Sequence, residues 1–128
     1  MDRSRFLPAL LGLYDMFDSL GFAVVSEQSG GMGGYDLVLA GQLSGKSGDV
    51  PTFVNFNADR GFWSFTIKFG SMKKWTVAWV WRSYLDDVPV ESEDIEWQAR
   101  FIAYRLADMV AAFEARAHEL YGPGRSEA

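Results

Sequence analysis

Apolar residues recur every three or four positions near both ends of the chain, which is the pattern of an amphipathic helix. Near the N terminus they are Phe6, Leu7, Leu10, Leu11, Tyr14, Phe17 and Leu20. Gly21 predicts the end of this helix, because glycine readily adopts the left-handed conformation that closes helices. Near the C terminus they are Ile95, Ala99, Ile102, Leu106, Val110, Phe113 and Ala117. Ser92 is the expected N-cap of this second helix, and Gly122 with Pro123 predicts its end after Tyr121.

Between Phe22 and Tyr84 the pattern changes to an alternation of apolar and polar residues, which indicates β-strands. Turn-forming clusters at residues 29–34, 41–49, 58–61 and 70–72 divide this segment into five strands. The strand at residues 62–69 places Trp63, Phe65, Ile67 and Phe69 on one face. The fifth strand, predicted over residues 75–84, places Trp75, Val77, Trp79 and Trp81 on one face.

The order of these elements predicts an α+β fold. Short connections between successive strands favour an antiparallel meander, because parallel strands need crossovers of about a dozen residues or more. We therefore expect a five-stranded antiparallel meander sheet, with the N-terminal helix and the long C-terminal helix packed on its aromatic face. The 128 residues fit one domain over residues 1–128, in which residues 1–4 and 123–128 are expected to fray.

Composition narrows the possible functions. The chain has no cysteine and one histidine, so it has no means of building a thiolate or histidine-cluster zinc site, and no cofactor is predicted. No signal-peptide-like or membrane-spanning apolar run is visible, which predicts a cytoplasmic protein with no membrane partner. A net charge of −5 and a pI near 4.7 argue against nucleic-acid binding, which needs clustered cations.

Residues 86–96 form an acidic segment that carries six carboxylates and no cation. They are Asp86, Asp87, Glu91, Glu93, Asp94 and Glu96, and they exceed the net negative charge of the whole chain. This concentration predicts a surface that meets a basic partner, with the neighbouring Trp97 as an aromatic contact. Trp97 and Tyr104 both lie off the helical stripe, so one of them is expected to be exposed. The alternative is a solvated connection whose last three carboxylates complement the positive end of the second helix.

Other candidate motifs lack the context that their chemistry needs. Residues 40–47 fit a permissive Walker A pattern, but Gly48 and Pro51 follow, so no helix can present its N terminus to a phosphate. The glycine-rich run at residues 30–34 could cradle an anion, although a flexible turn is the expected structure. His118 is expected to be a solvated helical residue without a neighbouring nucleophile. The sequence therefore does not predict an enzyme.

With this order of elements, with the aromatic hairpin at residues 53–64 and with the tryptophan-rich residues 75–81, the chain resembles the small cytosolic immunity proteins of bacterial polymorphic toxin systems. The resemblance covers residues 22–115. It implies a non-catalytic inhibitor that occludes the active site or a neighbouring surface of a cognate toxin. No fixed set of binding residues comes with it, so the acidic segment and Trp97 are predicted as the partner-binding residues.

Two alternatives remain open at this point. The first is a small-ligand or chaperone-like module that uses the uncovered sheet face, where the candidate residues are Asn55, Asn57, Ser64, Thr66, Thr76, Arg82 and Tyr84. The second is an unrecognised hydrolase with a concave site of convergent titratable groups. We expect a monomer or a weak homodimer, because edge strands at residues 22–27 or 53–58 could pair between chains.

Overall fold

The computed structural model describes residues 10–29, 34–46, 48–59, 62–70 and 72–120, with side chains described as far as residue 115. Within these ranges the elements are α1 (Leu11–Ser19), β1 (Ala23–Ser29), β2 (Tyr35–Gly45), β3 (Gly48–Asp59), β4 (Phe62–Phe69), β5 (Thr76–Val77), α2 (Ala78–Asp86) and α3 (Ile95–Leu120). The five strands form one antiparallel sheet in the order β1-β2-β3-β4-β5. The predicted α+β meander is confirmed. The predicted frayed ends lie outside the described residues, and the single domain stays a prediction.

The helices pack on one face of the sheet, as predicted. Alternation in β4 buries Phe65, Ile67 and Phe69 on that face. The same face of β2 and β3 contributes Leu37, Leu39, Val54 and Phe56 to the core. Helical spacing supplies the other half of the core through Leu13, Tyr14 and Phe17 of α1 and Ile102, Leu106, Met109 and Val110 of α3. We call this covered side of the sheet the inner face and the opposite side the open face.

The predicted fifth strand is wrong over most of its length. Only Thr76 and Val77 pair with β4, and α2 begins at the next residue. The segment is rich in strand-favouring residues, but its buried positions follow helical spacing, with Ala78 and Trp81 buried and Leu85 partly buried. Trp81 is fully buried and donates its Nε1 hydrogen to the Ile67 carbonyl at 3.4 Å. The predicted shared face of four strand residues therefore does not exist.

The β2–β3 hairpin is longer than the turn signals indicated. Its register runs from Tyr35 opposite Ala58 to Gly45 opposite Gly48, so the predicted turn at residues 41–49 is mostly strand. Glycines in the interior of a strand misled the prediction, since glycine also marks turns. At the tip, a Glu114 carboxylate oxygen accepts the Lys46 backbone N–H at 3.0 Å. Gly45 leaves room for this contact, because an added Cβ would overlap Glu114 Oε2.

The structure confirms the predicted end of the first helix and corrects the predicted start of the C-terminal helix. Gly21 has φ +85°, and the Phe22 N–H returns to the Phe17 carbonyl at 3.0 Å, which confirms the predicted end of the first helix. The predicted N-cap at Ser92 is wrong by two residues. Asp94 Oδ1 accepts the Trp97 N–H at 2.8 Å, because a carboxylate at this position satisfies an otherwise unpaired N–H of the first turn.

A side chain completes the edge of β4 where β5 is too short to do so. Gln98 of α3 is fully buried. Its Oε1 accepts the Phe65 N–H at 2.8 Å, and its Nε2 donates to the carbonyls of Trp63 at 3.3 Å and Glu93 at 2.9 Å. The Gln98 amide thus makes hydrogen bonds to the edge of β4 that a neighbouring strand would otherwise make. The contact with Glu93 also fixes the connection between α2 and α3 against the sheet.

Candidate protein-binding surface

The seven predicted partner-binding residues lie on one continuous part of the chain. Asp86 is the last residue of α2, Asp87 is its C-cap, and Glu96 and Trp97 lie in the first turn of α3. The remaining three lie in the connection at residues 88–94. We call α2, this connection and residues 95–108 of α3 the α2–α3 surface. Helix α2 lies against α3, so carboxylates from the first can reach cations of the second.

Three of the six carboxylates have partners within the chain. Asp86 forms a two-pronged ion pair with Arg105, with oxygen to nitrogen distances of 2.9 and 3.1 Å, and Arg105 Nε also donates to Asp108 at 2.7 Å. Glu93 lies 3.8 Å from Arg82. Asp94 is occupied as the cap of α3. These three carboxylates therefore stabilise the junction of the two helices.

The ion pair changes the pKa values of both of its members. The hydrogen bond from Arg105 is the largest effect on the Asp86 carboxyl and lowers its pKa. Burial opposes it, and the charges of Arg105 and Arg82 add to the lowering. The same hydrogen bond, together with that to Asp108, raises the pKa of the Arg105 guanidinium. Both groups are therefore charged at neutral pH.

The other three carboxylates point into solvent. Asp87, Glu91 and Glu96 are exposed and form no ion pair or side-chain hydrogen bond with any described residue. Asp87 also has φ +54°, the left-handed conformation in which helices most often place glycine. A carboxylate at that position is held outward on a fixed backbone turn, where the Val88 N–H returns to the Ser83 carbonyl at 3.3 Å.

Two aromatic rings of α3 form a stacked column, which is flanked by one arginine of α2 and one of α3. The rings of Trp97 and Phe101 are stacked, with centroids 5.1 Å apart and planes inclined by 8°. The Arg82 guanidinium lies 5.8 Å from the Trp97 ring, and that of Arg105 lies 5.6 Å from Phe101. Trp97 is consequently half-buried. Tyr104 is the exposed member of the predicted pair, with 83% of its surface accessible.

The arginines of this surface were not foreseen from the sequence. A shallow groove is lined by Arg82, Asp86, Trp97, Arg100, Phe101, Tyr104 and Arg105. The four-residue spacing of Arg82 and Asp86 places both on one side of a helix, but the alternation at residues 75–84 predicts a strand instead. Counting Asp108, seven carboxylates meet three arginines here, so the surface keeps an excess of four negative charges.

The phosphate-loop pattern, as far as it is described (residues 40–46), lies in the β2–β3 hairpin. Its lysine is Lys46, whose backbone N–H is bound to the Glu114 carboxylate. A negative side chain thus lies against the tip of the loop, and strands rather than a helix leave it. Most of the glycine-rich run (residues 30–33) and the side chain of His118 lie outside the described residues.

The sheet-face alternative is partly contradicted. Asn55, Asn57, Ser64 and Thr66 do lie on the open face. Asp36 Oδ1 accepts hydrogen bonds from the first two, at 2.8 and 3.1 Å. Thr76 pairs with buried Ile67 and so faces inward. Arg82 and Tyr84 lie on α2, because the segment that carries them is helical rather than extended.

Comparison of the chain with protein-family models, curated proteins and solved structures gave no match. No helix among the described residues is both long and apolar enough to cross a bilayer. Within the same residues, no three or more His, Cys, Asp or Glu side chains are grouped so that they could hold a metal ion. The physical properties of the α2–α3 surface are therefore the basis for a functional hypothesis.

Proposed function

We propose that this chain is a non-catalytic protein-binding protein that docks its α2–α3 surface against a basic surface of a partner. The proposal rests on the division of the acidic segment into paired and unpaired carboxylates. Asp86, Glu93 and Asp94 hold the helices together, whereas Asp87, Glu91 and Glu96 present charge that no described residue neutralises. Free carboxylates on a rigid support attract a cationic partner at long range and lose little conformational entropy on binding.

The side chains around these carboxylates support the same proposal. Binding energy at protein interfaces is concentrated in tyrosine, tryptophan and arginine residues that are well packed at their base. Tyr104 is largely exposed and one turn from Arg100 on α3, beside the stacked Trp97 and Phe101. Partner contact would cover Tyr104 without rearranging the column, because ion pairs already fix the arginines at its two ends.

The partner class follows from charge and from the resemblance of the sequence. A toxin that acts on nucleic acid or on a phosphorylated cofactor has a cleft lined with lysine and arginine. An acidic surface can occupy that cleft, which agrees with the occlusion of a toxin's active site that the resemblance implies. In this proposal the chain acts in the cytoplasm as the inhibitor of a cognate toxin, and Asp87, Glu91, Glu96 and Tyr104 make the first contacts.

The test compares two variants with the same change in charge. Asp87→Asn with Glu91→Gln removes two free carboxylates of the α2–α3 surface, and Asn tolerates the left-handed conformation at position 87. Asp18→Asn with Asp49→Asn removes two exposed carboxylates elsewhere. With the protein encoded beside this gene as the partner, the first variant should associate at least about threefold more slowly at low salt. The control variant should associate at nearly the rate of the natural chain.

Tyr104→Ala provides an independent readout. If Tyr104 is an anchor, this variant should dissociate faster by a factor of ten or more, since hot-spot residues contribute about 2 kcal/mol or more. Thermal unfolding should be unchanged, because the side chain is mostly in solvent. Association that does not depend on ionic strength, or that responds equally to both double variants, would show that the acidic surface is not the binding site.

A further inference from the structure

The lysines of this chain are concentrated at one end of the sheet. Three of the four, Lys68, Lys73 and Lys74, lie on β4 or in the loop that follows it. None of the three has a carboxylate partner among the described residues. Arg82 and Arg105 of the α2–α3 surface are, in contrast, both ion-paired. A chain with a net charge of −5 thus leaves three cations unneutralised in one place.

Two aromatic rings hold Lys68 in position. Register places it opposite Phe53, and both face away from the core because their neighbours Ile67 and Val54 are buried. Lys68 Nζ lies 5.3 Å from the centroid of the Phe53 ring and 4.9 Å from that of Trp75. Trp75 keeps 40% of its surface exposed. The amine is therefore oriented by cation–π contacts while it remains open to a ligand.

The loop that carries the other two lysines is anchored at its base. The Gly70 N–H donates to the Pro51 carbonyl at 2.7 Å, and the Met72 N–H donates to the Phe69 carbonyl at 3.0 Å. Met72 is buried beneath the loop, and Gly70 has φ +52°, which glycine adopts without strain. Lys73 and Lys74 follow directly and are exposed. Their positions relative to Trp75 are thus restricted by the fold.

We infer that this lysine–aromatic patch, made of Phe53, Lys68, Lys73, Lys74 and Trp75, docks an acidic segment of a partner protein. Carboxylates of such a segment would neutralise the three amines, and its apolar side chains would cover the two rings. Phe53 and Lys68 lie on the open face, whereas the helices cover the inner face. The patch shares no residue with the α2–α3 surface.

A protein segment fits this patch better than another polyanion. A nucleic-acid strand or an anionic bilayer extends far beyond three lysines and would meet the negative charge of the rest of the chain. The Asp36 carboxylate lies on the same face, where it accepts hydrogen bonds from Asn55 and Asn57. Asn57 lies four residues along β3 from Phe53 of the patch. A short peptide places its few charges over the lysines and leaves that carboxylate uncovered.

The test uses a short fluorescein-labelled peptide of alternating glutamate and leucine, with its binding to the full chain followed by fluorescence anisotropy. A triple variant should bind the peptide at least about threefold more weakly; it combines Lys68→Gln, Lys73→Gln and Lys74→Gln. Trp75→Ala should also weaken binding. Lys46→Gln is the matched control and should bind as the natural chain does, because that lysine lies at the β2–β3 tip. A peptide with glutamine in place of glutamate should bind more weakly than the acidic one.

Several outcomes would overturn the inference. The natural and triple-substituted chains could bind the glutamate peptide equally well, or the natural chain could bind the glutamine and glutamate peptides equally well. In a third outcome, the chain binds phosphatidylserine vesicles or an oligothymidylate but not the glutamate peptide. If Lys68→Gln lowers the thermal unfolding temperature, the Lys73→Gln and Lys74→Gln pair repeats the test on two exposed residues. No partner of the α2–α3 surface is present, so this result is independent of the proposed function.

Discussion

Replacing Gln98 by methionine tests the most unusual contact in the fold. Methionine has a similar length and is apolar, so the change removes hydrogen bonds while leaving most of the packing in place. Three backbone groups lose their partner, namely the N–H of Phe65 and the carbonyls of Trp63 and Glu93. Helix α3 and the edge of β4 would then face each other through unpaired polar groups.

The magnitude can be worked from the burial of these groups. Leaving a buried donor or acceptor unpaired costs about 1–3 kcal/mol, and the Phe65 N–H is fully enclosed because Phe65 and Gln98 are both buried. Trp63 and Glu93 are half-exposed, so water can partly replace the amide at their carbonyls. We therefore expect a loss of about 2–4 kcal/mol in the free energy of unfolding, a large part of the ~5–15 kcal/mol typical of a domain.

The assay is urea unfolding followed by circular dichroism, with Gln42→Met on the exposed side of β2 as the control. Gln98→Glu adds a pH readout. Its carboxylate can still accept the Phe65 N–H but has no hydrogen to donate, and burial would raise the pKa of this new group. The variant should therefore regain stability as pH falls and the carboxyl becomes protonated. A loss below about 1 kcal/mol for Gln98→Met would refute the assignment of Gln98 as a substitute for a strand.

Two further substitutions test the ion pair and the hairpin tip. Because the folded-state pKa of Asp86 is lowered, its contribution is present above its ordinary value of 3.8 and is lost as pH falls further. Asp86→Asn should cost about 0.5–1 kcal/mol at neutral pH, since both partners are about one-third exposed, and in thermal melts the difference should shrink as pH falls below 3.8. Gly45→Ala should displace the Glu114 carboxylate and cost about 1 kcal/mol in urea unfolding. In a Glu114→Ala background Gly45→Ala should cost almost nothing, and an equal cost in both backgrounds would contradict the contact.

Alternation and helical spacing predict most of this fold because each strand buries only one side. In β4 every second residue is apolar, so the pattern places Phe65, Ile67 and Phe69 in the core without knowledge of their neighbours. The same method fails at residues 78–86, where the alternation that begins at Trp75 continues to Trp81 although Ala78, Trp81 and Leu85 have helical spacing. Tertiary packing under β4 decides in favour of the helix over the strand preference of the tryptophans and valines.

The binding surface is less predictable than the fold because charge pairing depends on tertiary distance. The acidic segment contains no cation, yet Arg105 lies 19 positions from Asp86 and reaches it across the α2–α3 contact. The sequence could thus locate the carboxylates but could not divide them into paired and free groups. Gln98 is a similar case, since its partner Phe65 is 33 positions away.

The chemistry of the two cation types accounts for how the structure distributes charge. A guanidinium is planar, forms two parallel hydrogen bonds with a carboxylate and stacks on rings, so arginine is suited to joining α2 and α3. Arg105 makes all of these contacts at once, to Asp86, Asp108 and Phe101. A lysine amine is strongly hydrated and more easily left in solvent. The fold therefore leaves carboxylates free on the α2–α3 surface and amines free on the lysine–aromatic patch, so the two proposed binding sites favour partner surfaces of opposite charge.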